Sequence, residues 1–181
     1  GMVRRAQQVL EEIPIRNVVS WSTLIAGYAQ HGQGRRALDS FARMQSEGFT
    51  PNIVTFICVL KACGSIGAGN QGSDIHAQIY KEGLLVGDIM IENALIYMYA
   101  KCGSIEDACC LFDSIPKPDL VSWNILLAGY VRAKKFVDAF ALYGRMEVMG
   151  IKPDTITVVE ILQACIGLAA FEDGKRIHGC I

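Results

Sequence analysis

A segment of this sequence returns 102 residues later: V-S-W-S-T-L-I-A-G-Y around Trp21 reappears as V-S-W-N-I-L-L-A-G-Y around Trp123. The same offset carries Ile13-Pro14 onto Ile115-Pro116, Ala62-Cys63 onto Ala164-Cys165, and Ile75-His76 onto Ile177-His178. Self-similarity at a fixed spacing marks repeat architectures, where each unit buries its apolar face only against its neighbours. Shorter units lie inside the long one. They open at Val18, Ile53, Ile89, Leu120 and Thr155, with lengths of 35, 36, 31 and 35 residues for the four complete ones. The chain therefore divides into a partial unit 1–17, units 18–52, 53–88, 89–119 and 120–154, and a partial unit 155–181.

Each unit reads as two helices. Trp21, Leu24, Ile25 and Tyr28 recur at i, i+3, i+4 and i+7 within Val19–Ala29, which is one stripe of a helix. His31-Gly32-Gln33-Gly34 breaks that helix, and Ala37, Leu38, Phe41 and Met44 form a second stripe over Arg35–Glu47. Gly48 is expected at the C-cap, with Pro51 as a stop. Unit 120–154 repeats the design with Ala139, Phe140, Tyr143 and Met146, then Gly150 and Pro153. Helix pairs of about this length stack into an α-solenoid, so the fold class is all-α, built of helix-turn-helix repeats.

Composition narrows the function classes. With 51% hydrophobic and 19% charged residues the chain is not intrinsically disordered. A net charge of −1 excludes a strongly basic glove that binds phosphate mainly by charge. The longest uncharged stretch, from Asn17 to Gly34, carries too many polar side chains to span a membrane. Residues Gly1 to Glu12 have no apolar core of a targeting peptide and read as a charged amphipathic helix. The seven cysteines are odd in number, include the adjacent Cys109 and Cys110, and form no C-x-x-C pair. That pattern argues for free thiols in a reducing compartment, against a disulfide framework and against a tetrahedral zinc site. No deaminase, hydrolase, metalloprotease or phosphate-loop signature appears, so the sequence predicts a binding module with no catalytic residues, metal or cofactor.

Tetratricopeptide units keep a regular 34-residue period with Leu-Gly three residues after the tryptophan. Here Leu24 is followed by Ile25, and the period cycles through 35, 36 and 31. That cycle, with L-x-A-G-Y, A-L-x-S-F-A-R-M and G-F-T-P-N, resembles the pentatricopeptide repeat family, in particular its plant PLS subclass. Units 18–52 and 120–154 then resemble its P type. Unit 53–88, with V-L-K-A-C and I-H-A-Q-I, resembles the L type, as does the partial unit 155–181. Unit 89–119, with N-A-L-I-Y-M-Y-A-K-C-G-S-I-E-D-A, resembles the S type, and 1–17 would be the second helix of another.

The resemblance implies a right-handed superhelix from a mitochondrial or chloroplast factor that reads single-stranded RNA, selecting a cytidine for editing or a transcript for processing. It also implies that a repeat's fifth residue reads one base, helped by its last residue, and that the second residue sandwiches that base. In this sequence those roles fall to Ser22 with Asn52, Asn93 with Asp119, and Asn124 with Asp154, with Val19, Val54, Met90 and Val121 as the sandwiching residues. An Asn amide carries both donor and acceptor, which suits uracil, whereas a Ser hydroxyl can donate to adenine N1. Ile57 and Val159 hold the fifth place in the L-type units and can form no hydrogen bond to a base edge. The expected preference, read parallel to the RNA, is 5′-A-n-U-U-3′. The L-type units are expected to contact editing cofactor proteins instead.

Plainer readings stand beside these. Asn52 and Asp154 follow Pro51 and Pro153 and equally fit turn or cap residues. Trp21 and Trp123 lie in apolar stripes and belong to the core rather than to a stacking platform. His76 and His178 fit helix packing, and Lys61, Lys101, Lys134 and Lys135 fit either phosphate contacts or solvated surface. A competing class is a protein–protein interaction scaffold without RNA specificity. The apolar ends of a short solenoid also fit end-to-end self-association, because natural arrays need polar caps.

Overall fold

The computed structural model describes residues 17–85 and 87–178, with side chains described as far as residue 169. Among these residues there are helices and no strands: α1 (Val18–Gln30), α2 (Gly34–Ser46), α3 (Ile53–Ile66), α4 (Gly69–Lys81), α5 (Ile89–Cys102), α6 (Ile105–Ser114), α7 (Leu120–Arg132), α8 (Phe136–Val148) and α9 (Thr155–His178). The amphipathic helix expected within 1–17 lies outside the described residues, Asn17 excepted.

The odd-numbered helices begin where the sequence places a small polar residue. Asn17, Asn52 and Asp119 cap α1, α3 and α7, each accepting from the backbone N–H of the third helical residue. That residue is Ser20, Thr55 or Ser122, and its side chain accepts in return from the cap's own N–H, a reciprocal capping box. Asp154 and Thr157 repeat the arrangement at the start of α9. Asp88 caps α5 through the N–H of Met90.

Odd helices pack on odd helices along the whole array, α1 on α3, α3 on α5, α5 on α7 and α7 on α9. Each even helix packs against the odd helices before and after it, and no even helix packs on another even helix. The odd helices therefore form the close-packed layer and the even ones the splayed layer. An array so built curves toward the odd helices, which line its inner face.

The predicted stripes meet in this core. Trp21, Leu24, Ile25 and Tyr28 are buried, as are Ala37, Leu38, Phe41 and Met44. Phe41 meets Phe56 of the next unit edge-on at 5.9 Å, and Trp123 meets Phe112 of the preceding unit at 4.8 Å. The stripe of α8 differs from expectation: Ala139, Leu142 and Met146 are buried, while Phe140 and Tyr143 are only partly covered. The residue 102 positions beyond Phe56 is Val158, which offers no ring against which Tyr143 can seat.

Two helix ends also depart from the sequence reading. Gly48 stands one residue beyond the C-cap Glu47, at φ +84°, where the left-handed conformation that follows a helix is needed. And α9 runs on through 167–170, whereas α3 stops at Gly67, a left-handed C-cap with φ +70°. The matching residue 102 positions on is Ala169, whose Cβ disfavours that conformation.

The indole N–H groups of Trp21 and Trp123 are buried with no hydrogen-bond partner, so these rings contribute through packing and through the guanidinium groups over their faces. Replacing Trp123 by Ala is expected to cost about 3–5 kcal/mol in urea unfolding. Trp123→Phe keeps the edge contact to Phe112 and loses no hydrogen bond, so it is expected to cost less than half as much.

Candidate nucleic-acid interface

The second residue of every unit stands on the inner layer with its side chain in solvent. Val19, Val54, Met90, Val121 and Ile156 are between 54% and 67% exposed, although all are apolar. Such residues are ordinarily scattered, yet here one recurs at the same place in five successive helices. Ile156 is the member that the sequence reading omitted, although the 102-residue offset places it on Val54.

Between these apolar side chains lie open clefts. One, of about 280 Å³, is lined by Met90 and Val121 with Asn93, Asp119, Ile57 and Lys61. The next, of about 360 Å³, is lined by Val121 and Ile156 with Asn124, Asp154, Lys101 and Arg132. Each cleft thus has an apolar residue of two neighbouring units and a carboxamide between them. Lys101 also stands over the Tyr97 ring at 5.5 Å, and burial followed by the nearby Arg132 charge holds its ammonium below the ordinary lysine range. Lys135 is engaged elsewhere, in an ion pair with Glu106.

The two asparagines are held in the same way. Asn93 Nδ2 donates to Asp119 Oδ1 at 3.1 Å, and its Oδ1 accepts from the Ser122 hydroxyl at 2.6 Å. Asn124 Nδ2 donates to both carboxylate oxygens of Asp154 at 3.1 Å, and its Oδ1 accepts from the Thr157 hydroxyl at 2.6 Å. A carboxamide has two N–H donors and two lone pairs. With the two Asp154 oxygens sharing one bifurcated N–H of Asn124, each Asn keeps one N–H and one lone pair, on a side chain that is 8% exposed.

Asp119 and Asp154 do double duty: each caps its own helix and orients the amide of the unit before. The cap reading and the recognition reading therefore describe the same residues. Burial pushes the Asp119 carboxyl up, but the Ser122 N–H, the Asn93 amide and the Ser122 hydroxyl outweigh it and hold it below the usual value. For Asp154 the Thr157 N–H leads, burial opposes it, and the Thr157 hydroxyl and Asn124 amide add to the lowering.

The third expected pair does not meet directly. Ser22 Oγ donates to Val18 O at 2.7 Å and lies 2.6 Å from Thr55 Oγ1. Asn52 Oδ1 accepts from the N–H and the hydroxyl of Thr55, both at 2.9 Å. Thr55 thus stands between Ser22 and Asn52, and the Ser22 proton is engaged within the protein. Ile57 is buried, and Val159 is exposed on α9. Away from the inner face, His76 packs on Tyr99 with Nδ1 3.0 Å from its hydroxyl. The side chain of His178 lies outside the described residues. Among the described residues no His, Cys, Asp or Glu cluster suits a metal ion, and no helix is long and apolar enough to cross a membrane.

A model of the PPR repeat family matches residues 16–65 and 118–166, and one of the single PPR repeat matches 93–117. The chain belongs to the PPR repeat family. Among curated relatives, pentatricopeptide repeat-containing protein At4g38010 of Arabidopsis thaliana is 38% identical over 179 residues, covering 98% of this chain and 31% of that protein. The chloroplastic DOT4 of the same plant is 37% identical over 97% of this chain and 20% of its own length. The mitochondrial At2g22410 is 32% identical over 98% of this chain and 30% of its own. This PPR chain thus spans about a third or less of these relatives. The crystal structure of PPR10 in complex with an 18-nt psaJ RNA element superposes with a TM-score of 0.77 at 23% identity, over 94% of this chain and 26% of that one. That likeness establishes the shared solenoid fold.

Because the Asp119 carboxyl ionises below the usual aspartate range, its bonds contribute stability that is complete above that range and is lost as pH falls through the lower, folded-state value. Asp119→Asn is expected to flatten the acid limb of a stability–pH profile measured by urea unfolding, with the neutral region little changed in slope.

Proposed function

We propose that this chain is a sequence-specific, non-catalytic module that reads single-stranded RNA one base per repeat. The observation that carries the reading is the pair of matched clefts, each with an exposed apolar residue on either side and an oriented Asn amide between. A flat base fits between two apolar side chains, and an amide with one free N–H and one free lone pair complements one Watson–Crick edge. Uracil offers N3–H and a neighbouring carbonyl oxygen, the reciprocal pair. Unit divisions at 18–52, 53–88, 89–119 and 120–154, of P, L, S and P type, then give 5′-A-n-U-U-3′, with the base of unit 53–88 unread because Ile57 has no polar atom. At unit 18–52 the Ser22 proton is already engaged, which favours acceptance from an adenine N6 amino group over donation to N1.

The kinship supports an organellar role. Relatives named chloroplastic and mitochondrial share more than 30% identity with this chain, and PPR10 is seen with RNA bound. We assign the parent protein to one of those organelles, acting in C-to-U editing or in RNA processing, with editing cofactor proteins meeting the L-type units. The exposed Val158, Val159, Leu162 and Ile166 of α9 support end-to-end association of this piece with itself.

Titration of the chain against an RNA containing 5′-A-n-U-U-3′ and against its complement tests the reading. The first is expected to bind more tightly, and a scaffold without RNA specificity would bind both equally with no salt slope. Asn124→Ser with Asp154 kept is expected to move preference at that one base from U towards G. Unchanged preference would refute the assigned register.

A further inference from the structure

We propose that the hydroxyl at the third place of units 53–88, 120–154 and 155–181 is a positioning residue for the base-reading side chain of the unit before it, so that such a base is specified jointly by two successive units. This rests on the RNA reading above.

The pairing recurs with the same geometry. Ser22 meets Thr55, Asn93 meets Ser122 and Asn124 meets Thr157, all at 2.6 Å. The three hydroxyl residues are fully buried. Where the fifth residue is apolar the partner is too: Ile57 precedes Ile91, and both are buried. The character of the fifth residue is thus matched by the third residue of the following unit at all four described junctions.

The hydroxyl does something the carboxylate cannot do alone. Asp119 anchors only the nitrogen end of the Asn93 amide, about which the planar group can still swing. Ser122 has one proton and two acceptors in reach, Asn93 Oδ1 at 2.6 Å and Asp119 Oδ1 at 2.9 Å; given to the nearer, it anchors the other end. A plane held at both ends presents a fixed edge. The reversed amide would set Oδ1 against the Asp119 carboxylate, with both groups acceptors and no proton between them. The orientation matters because uracil and cytosine differ at that edge by exchange of donor and acceptor. A held amide keeps that edge facing uracil, and a swinging one loses part of its margin over cytosine.

The test measures the U-over-C preference of the full chain separately at the bases of units 89–119 and 120–154. Ser122→Ala is expected to lower the preference about threefold or more at the first base only, the effect of losing one modest hydrogen bond. Thr157→Val, which keeps the buried volume, is expected to lower it at the second base only. Ser122→Thr restores the hydroxyl and is expected to keep both. Variants that fold and leave both ratios unchanged, or lower both together, would overturn the proposal.

Proton exchange at the side-chain amides, read by NMR without RNA, separates this idea from the one beneath it. Ser122→Ala is expected to speed exchange at Asn93 and leave Asn124 protected. If the wild-type chain binds all RNAs alike while that loss of protection occurs, the RNA reading fails and the positioning role stands. If protection at Asn93 does not change, the positioning role fails.

Discussion

The arrangement turns on one short carboxylate placed at the junction of two units. Asp119 accepts from a backbone N–H of α7, lies 2.9 Å from the Ser122 hydroxyl, and accepts from the Asn93 amide. Its first bond starts a helix by satisfying a donor that the helix itself leaves open. The last reaches back across the packed face of α5 to hold a side chain of the unit before. Asp154 repeats the same set of bonds from α9 to α7. Starting the helix and orienting the neighbour are the same electrostatic event, so neither is free to vary independently.

That coupling depends on how the helices are layered. The odd helices pack directly on one another, which brings the fifth residue of one within a hydrogen bond of the first turn of the next. Even helices wedge apart the outer face and carry bulky rings such as Phe41 and Phe112 into the seams. The two tryptophans, despite their capacity to stack on bases, are consumed by this packing, and Arg43 and Arg145 lie over their outer faces. Aromatic area supplies the stiffness, and small polar groups are left for the inner face.

Much of this was legible in the sequence. The apolar stripe read over Val19–Ala29 lies in a helix spanning Val18–Gln30, and the odd helices begin at Val18, Ile53, Ile89, Leu120 and Thr155, the residues read as unit openings, because periodicity of burial is written directly in residue type. The residues of the inner face were legible only by resemblance, since nothing in the local pattern distinguishes an exposed valine at a second position from a frayed helix end. Ile156 shows the limit: its role follows from the offset alone. The third-place hydroxyls escaped notice because Ser and Thr near a helix start are explained by capping, and only coordinates reveal that the same oxygen touches another unit. The stripe of α8 was misread because burial there depends on what the next unit supplies, and Val158 supplies less than Phe56 does. The length of α9 turned on one residue, Ala169, standing where Gly67 stands earlier.

The reciprocal capping box at three of the four described junctions has a consequence for how such arrays can be cut and recombined. The helix-turn-helix unit ends at the capping residue, but the set of atoms that holds one amide ends three residues into the following helix. The repeat and the set of atoms that holds its amide are therefore divided at different points along the chain. A repeat exchanged cleanly at the start of an odd helix would carry its own Asn and leave behind the hydroxyl that orients it. Modules transplanted with the first turn of their successor would move intact, so the portable segment overlaps its neighbour instead of abutting it.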